Sequence, residues 1–169
     1  MLKVPSFNHI QERRTTVKTC AWLLSPLALL KIVVSVGLFV VVLFLMDGRN
    51  QWWPYTAIFI VDVFLVIYCL LSLMSHFFRI SDIKFNVAIG LELLVNGLAC
   101  LLSLLAFFVL AWDEWQMHDN HWGHHRRLPP MNIKQQGWMG RIAVVMVATL
   151  INSIVFLFIV LRVWVYGIE

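Results

Sequence analysis

Apolar residues fill four long runs of the chain, and inside each run the polar and small residues recur at steps of three and four. Between Phe85 and Ala111 the exceptions to Leu, Val and Phe include Glu92, Asn96, Ala99, Ser103 and Ala106, at steps of four, three, four and three. That is the seam spacing of a helix packed lengthwise against another helix. From Tyr55 to Phe78 the same rhythm runs through Asp62, Leu65, Cys69, Ser72 and His76. The run from Trp22 to Leu45 carries Ala28, Lys31 and Ser35 on one face, and the run from Gly140 to Tyr166 carries Ala148 and Asn152 with Thr149 and Ser153 beside them. At 1.5 Å per residue the shortest run extends about 36 Å, enough to cross a bilayer with some tilt. The pattern predicts an all-α, integral membrane four-helix antiparallel bundle with spans at about 22–45, 55–78, 85–111 and 140–166. Residues 1–21 precede it, and 167–169 form a short tail.

Composition supports the class. Hydrophobic residues make up 61% of the 169 and charged residues 13%, outside the range of soluble globular chains. The first twenty residues are polar and basic, so the first span is expected to stay in place as a signal anchor. Lys3, Arg13, Arg14 and Lys18 against Glu12 alone place the N-terminal segment on the cytoplasmic side, and four spans return the C-terminus there. The link Arg79 to Lys84 is too short for anything but an antiparallel hairpin on that same side. The net charge of +4 lies mostly in the flanks, where it bears on headgroups and topology rather than on nucleic acid. Of the three cysteines, Cys20 sits between basic residues and a span, a place open to palmitoylation or to plain burial. Cys69 and Cys100 lie within spans, so no disulfide framework is expected.

Three ionisable residues fall inside the spans, where a charge must face protein or water. Lys31 and Glu92 lie at similar depth, each roughly 10–13 Å from the cytoplasmic ends of their spans. A Lys31–Glu92 contact is therefore expected. Asp62 lies nearer the opposite face and is expected to be served by Arg49, Arg141 or a loop histidine. Asn96 and Asn152 are expected to hydrogen-bond across helices.

The connection 112–139 is the longest between spans, polar, aromatic and rich in histidine. Six of the eight tryptophans (Trp52, Trp53, Trp112, Trp115, Trp122 and Trp138) fall in the two exoplasmic connections. With Arg126 and Arg127, the loop tryptophans Trp112, Trp115, Trp122 and Trp138 suggest a cap that binds headgroups or a partner. His121, His124 and His125 match the HxxHH box of membrane di-iron enzymes, but such enzymes need several boxes and this chain has one. Two or three of these histidines with Asp119 are weak candidates for a single zinc or copper ion. The plainer reading is a polar interfacial loop that binds no metal.

The basic N-terminus, the four spans, a modest first outer loop, a longer second one and the last helix, RIAVVMVATLINSIVFLFIVLRVW with Arg162 and Trp164 near its end, resemble the MARVEL-domain proteins of the myelin-and-lymphocyte and chemokine-like-factor branches. LLKIVVSVGLFVVVLFLM in the first span is a weaker match. The resemblance covers the spans and implies a non-enzymatic protein of the plasma membrane or of vesicles and endomembranes. Such a protein works in membrane organisation, traffic or cell contacts through lipids, other membrane proteins or copies of itself. The outer loop departs from some relatives in lacking a cysteine pair. No nucleophile–base pair, phosphate loop or CxxC motif is present, so neither an enzyme nor a cofactor is expected. A second reading is a small accessory subunit or an ion- or proton-conducting component whose polar seams line a conduit.

Overall fold

The computed structural model describes residues 24–78, 85–127, 129 and 133–167. Cys20 with the basic N-terminal segment, the Arg79 to Lys84 link and the last two residues lie outside them. The described residues form four helices: α1 (Pro26–Leu45), α2 (Trp53–Phe77), α3 (Phe85–His118) and α4 (Lys134–Tyr166). All four are long and apolar enough to cross a membrane, which suggests a multi-pass membrane protein.

Local chemistry explains where the helices begin. Ser25 caps α1, its hydroxyl accepting from the Ala28 N–H at 3.3 Å, and Pro26 follows where a missing N–H costs nothing. Pro54 likewise stands in the first turn of α2, which has no side-chain cap. Buried positions then repeat at alternating steps of three and four. On α2 they are Tyr55, Ile58, Asp62, Leu65, Cys69, Ser72 and His76. On α4 they run Trp138, Ile142, Val145, Thr149, Asn152, Phe156, Ile159 and Val163. A strict seven-residue repeat of this kind sets helices nearly parallel to one another with interlocking side chains.

Two helices run beyond the spans read from hydrophobicity. α3 continues past Ala111 to His118, and α4 begins at Lys134 rather than Gly140, so the connection between them shrinks to residues 119–133. The seam carries them on: Leu110, Asp113 and Met117 extend the buried stripe of α3, and Trp138 starts that of α4. α3 ends in a Schellman motif. Asn120 takes the left-handed conformation (φ 59°), its N–H bonds the Met117 carbonyl, and the His121 N–H bonds that of Gln116.

α3 packs along α4, α4 along α1 and α1 along α2, whereas the backbones of α2 and α3 come close at few points. α1 and the turn that follows it approach α4 tightly, in antiparallel sense, at two glycines. A Cβ on Gly37 would stand 2.1 Å from Asn152 Oδ1, and one on Gly48 would stand 2.0 Å from the Trp138 ring. The core divides into two apolar clusters. One gathers Leu38, Leu65, Ala99, Phe156 and Ile159, and the other Val41, Ile58, Leu110, Ile142 and Val145. Between them in sequence register lie buried Asp62, Ser103, Thr149 and Asn152, a polar layer midway along the bundle.

Candidate functional site

α3 places two buried carboxylates on one seam, Glu92 and Asp113, three seven-residue repeats apart. Each reaches across to α2, where the backbones alone make little contact.

Glu92 is the inner of the two. Lys31 of α1, fully buried, donates from Nζ to Glu92 Oε2 at 2.6 Å and to Ser72 Oγ at 2.6 Å. The Ser72 hydroxyl passes the chain on to Glu92 Oε1. Tyr68 donates to Oε2 at 3.0 Å, Asn96 Nδ2 lies 2.7 Å from the same oxygen, and His76 Nε2 stands 3.1 Å from Oε1. The contact expected from matching depth is thus present, and it sits inside a network drawn from three helices. A carboxylate whose oxygens are so fully occupied is fixed in place, as a buried ion pair must be if its desolvation is to be offset.

Asp62 differs from its expectation. Arg141 pairs instead with Asp47 at 2.8 Å, Arg49 lies over the Phe59 ring at 5.2 Å, and both neighbouring loop histidines turn to Asp113. Asp62 Oδ2 has no hydrogen-bond partner among the described residues. The reason is height: the arginines reach the end of the bundle, while Asp62 lies in the middle layer between the two apolar clusters. Asn152 likewise departs from expectation, since neither side-chain polar atom has a partner among the described residues and its Oδ1 fills the space over Gly37. Asn96 does bridge helices, donating to the Tyr68 hydroxyl at 3.2 Å as well as to Glu92.

Asp113 is the outer carboxylate, fully buried at the end of the bundle where both connections gather. The Tyr55 hydroxyl donates to its Oδ2. His124 Nε2 lies 2.7 Å and His125 Nε2 2.9 Å from Oδ1, and the two imidazole centroids are 4.4 Å apart. Aromatic rings wall the cluster. Trp52 and Trp112 stand 5.2 and 5.1 Å from His124, and Trp122 stands 5.5 Å from His125. The Arg126 N–H bonds the Gln51 carbonyl at 2.7 Å and ties the long connection to the short one. The result is a cap held by side chains of both connections.

The loop residues singled out in the sequence therefore divide. Trp115 is 67% exposed and Trp112 45%, and Arg126 and Arg127 are exposed. Trp122 is half-buried against the second core cluster. Trp138, expected on the loop surface, is fully buried because α4 starts early and turns its ring onto Gly48 and Tyr55. Of the three candidate metal-binding histidines, His124 and His125 come together and His121 stays exposed beyond the Asn120 turn. Asp119 is exposed too, and Asp113 occupies the place expected for it. Asp113 and Tyr55 are the site residues that sequence reasoning missed. The signal was there in the seam: Asp113 falls 21 positions after Glu92 on a stripe that does not stop where hydrophobicity drops.

Beside the cap, Arg126 and Arg127 line a half-open cleft of about 280 Å³ together with Asn50, Trp53 and Thr56. Trp53 is 76% exposed there. Two guanidinium groups, a flat aromatic face and the Asn50 amide form a surface suited to an anionic group such as a phosphate, while the Thr56 hydroxyl donates to the Arg49 carbonyl at 2.6 Å. The chain matches no protein-family model, no curated protein and no solved structure at a significant level.

Proposed function

We propose that this protein is a non-enzymatic membrane organiser that acts through its capped end, placed on the exoplasmic side, with both termini in the cytoplasm. The observation that carries the reading is the division of labour within the cap. His124, His125 and Trp138 face inward and hold it together, while Trp53, Trp115, Arg126 and Arg127 face outward. Exposed tryptophans beside arginines suit the headgroup layer of an opposing or surrounding membrane, or a membrane partner embedded in it. The sequence resemblance of the spans to MARVEL-domain proteins is the ground for proposing kinship with them, and with it a place in the plasma membrane or in vesicles.

The test is apposition. Proteoliposomes with the cap outward are expected to cluster acceptor vesicles rich in anionic lipid, and the combined change Trp53→Ala, Arg126→Ala, Arg127→Ala is expected to abolish it. Equal clustering by that variant would overturn the reading.

One observation favours a second reading, a conducting or accessory component. The polar layer midway along the bundle holds a carboxylate oxygen and an amide without partners among the described residues. Ion or proton flux through reconstituted protein, abolished by Asp62→Asn, would support it.

A further inference from the structure

We propose that Asp113, His124 and His125 bind a single divalent ion of the zinc class, a role that goes beyond membrane organisation. Three atoms of the right kind, one carboxylate oxygen and two imidazole nitrogens, lie within 4.8 Å of one another. Donors about 2.1 Å from a common ion sit about 3.0–3.4 Å apart, so the 2.7 and 2.9 Å separations from Asp113 Oδ1 must open slightly, and the two imidazole nitrogens, within 4.8 Å of each other, must settle into the same range. The mixed nitrogen and oxygen set suits zinc, cobalt(II) or copper(II). It is too soft for calcium or magnesium and too hard for copper(I).

One contact of a metal site's outer layer is in place, while His125 Nδ1 is buried with no acceptor among the described residues. Tyr55 holds Asp113 by Oδ2 and so presents Oδ1 to the histidines. Both imidazoles turn Nε2 to the same carboxylate oxygen, so the three candidate ligand atoms already converge on one point. The side chains of Asp113 and His125 are 0% and 1% exposed while that of His124 is 19% exposed, so an ion would reach the site past His124. With three protein ligands a fourth position stays open to water or to an incoming anionic group. Because Asp113 belongs to α3 and both histidines to the connection, the ion would pin the cap to the helix. Stability should rise with metal accordingly.

The full chain, purified in detergent and stripped with a chelator, is titrated with zinc, and with cobalt(II) and copper(II) as spectroscopic probes. One equivalent of zinc is expected to bind and to raise the melting midpoint. Cobalt should give the visible absorption of a low-coordinate site, and copper should show splitting from two nitrogens. His124→Ala is expected to weaken zinc binding at least tenfold, Tyr55→Phe about tenfold, and His121→Ala not at all. Absence of a stoichiometric ion in the wild-type titration overturns the proposal, as does copper splitting from other than two nitrogens. Binding that survives in His124→Ala or fails in His121→Ala does so too. The wild-type spectra decide the matter even if a variant fails to fold, and vesicle clustering without metal binding would leave the organiser reading standing while this one falls.

Discussion

Buried charge in this molecule is handled in two ways, and the contrast predicts opposite outcomes for similar substitutions. Glu92 has Lys31, Ser72, Tyr68, Asn96 and His76 about its oxygens, so removing either member of the ion pair strands the other. Lys31→Met and Glu92→Gln should each destabilise the protein by about 3–5 kcal/mol, with the double change recovering much of the loss. Thermal unfolding in detergent checks this, and additive losses would refute the pairing. Asp62 is the reverse case. Its Oδ2 is buried and carries a desolvation cost that no hydrogen bond among the described residues offsets. Asp62→Asn should raise stability by about 1–3 kcal/mol. A lower melting midpoint in that variant would mean that the carboxylate is held by contacts the geometry does not contain.

Helix α1 meets α4 through glycine, and that contact is as demanding as any ion pair. Gly37→Ala would drive a methyl group into the Asn152 amide, at a cost of about 1–3 kcal/mol for overpacking. Asn152→Ala added to it should restore part of the loss, which unfolding of the single and double variants would measure. How much of these elements was legible in the sequence follows from the same periodicity. Steps of three and four located all four helices and the buried faces of α2 and α3, because a polar or small residue within an apolar span turns onto a neighbouring helix. Depth along the helices was enough to join Lys31 to Glu92. Hydrophobicity failed at the helix ends, where Trp112, Asp113 and Glu114 look like loop although the seam continues through Leu110, Asp113 and Met117. The choice of His124 and His125 over His121 was out of reach for a different reason. It depends on the left-handed turn at Asn120, which sends the chain back over Asp113, and no local pattern of residues announces that return.

Across the whole bundle, α3 acts as the organiser. Its inner carboxylate gathers α1 and α2, and its outer carboxylate gathers α2 and the connection that leads to α4. These two groups join α2 to α3 where their backbones come close at few points. The Glu92 and Asp113 networks then serve assembly, and in the proposed function interaction with the surroundings falls to the outward face of the cap. Vesicle clustering by three reconstituted proteins tests that division most directly: the wild type, the interior double variant Lys31→Met, Glu92→Gln, and the cap variant Trp53→Ala, Arg126→Ala, Arg127→Ala. Clustering is expected from the first two, compared at equal amounts of folded protein, and none from the third. Clustering that survives in the cap variant but is lost from the folded interior variant would contradict it.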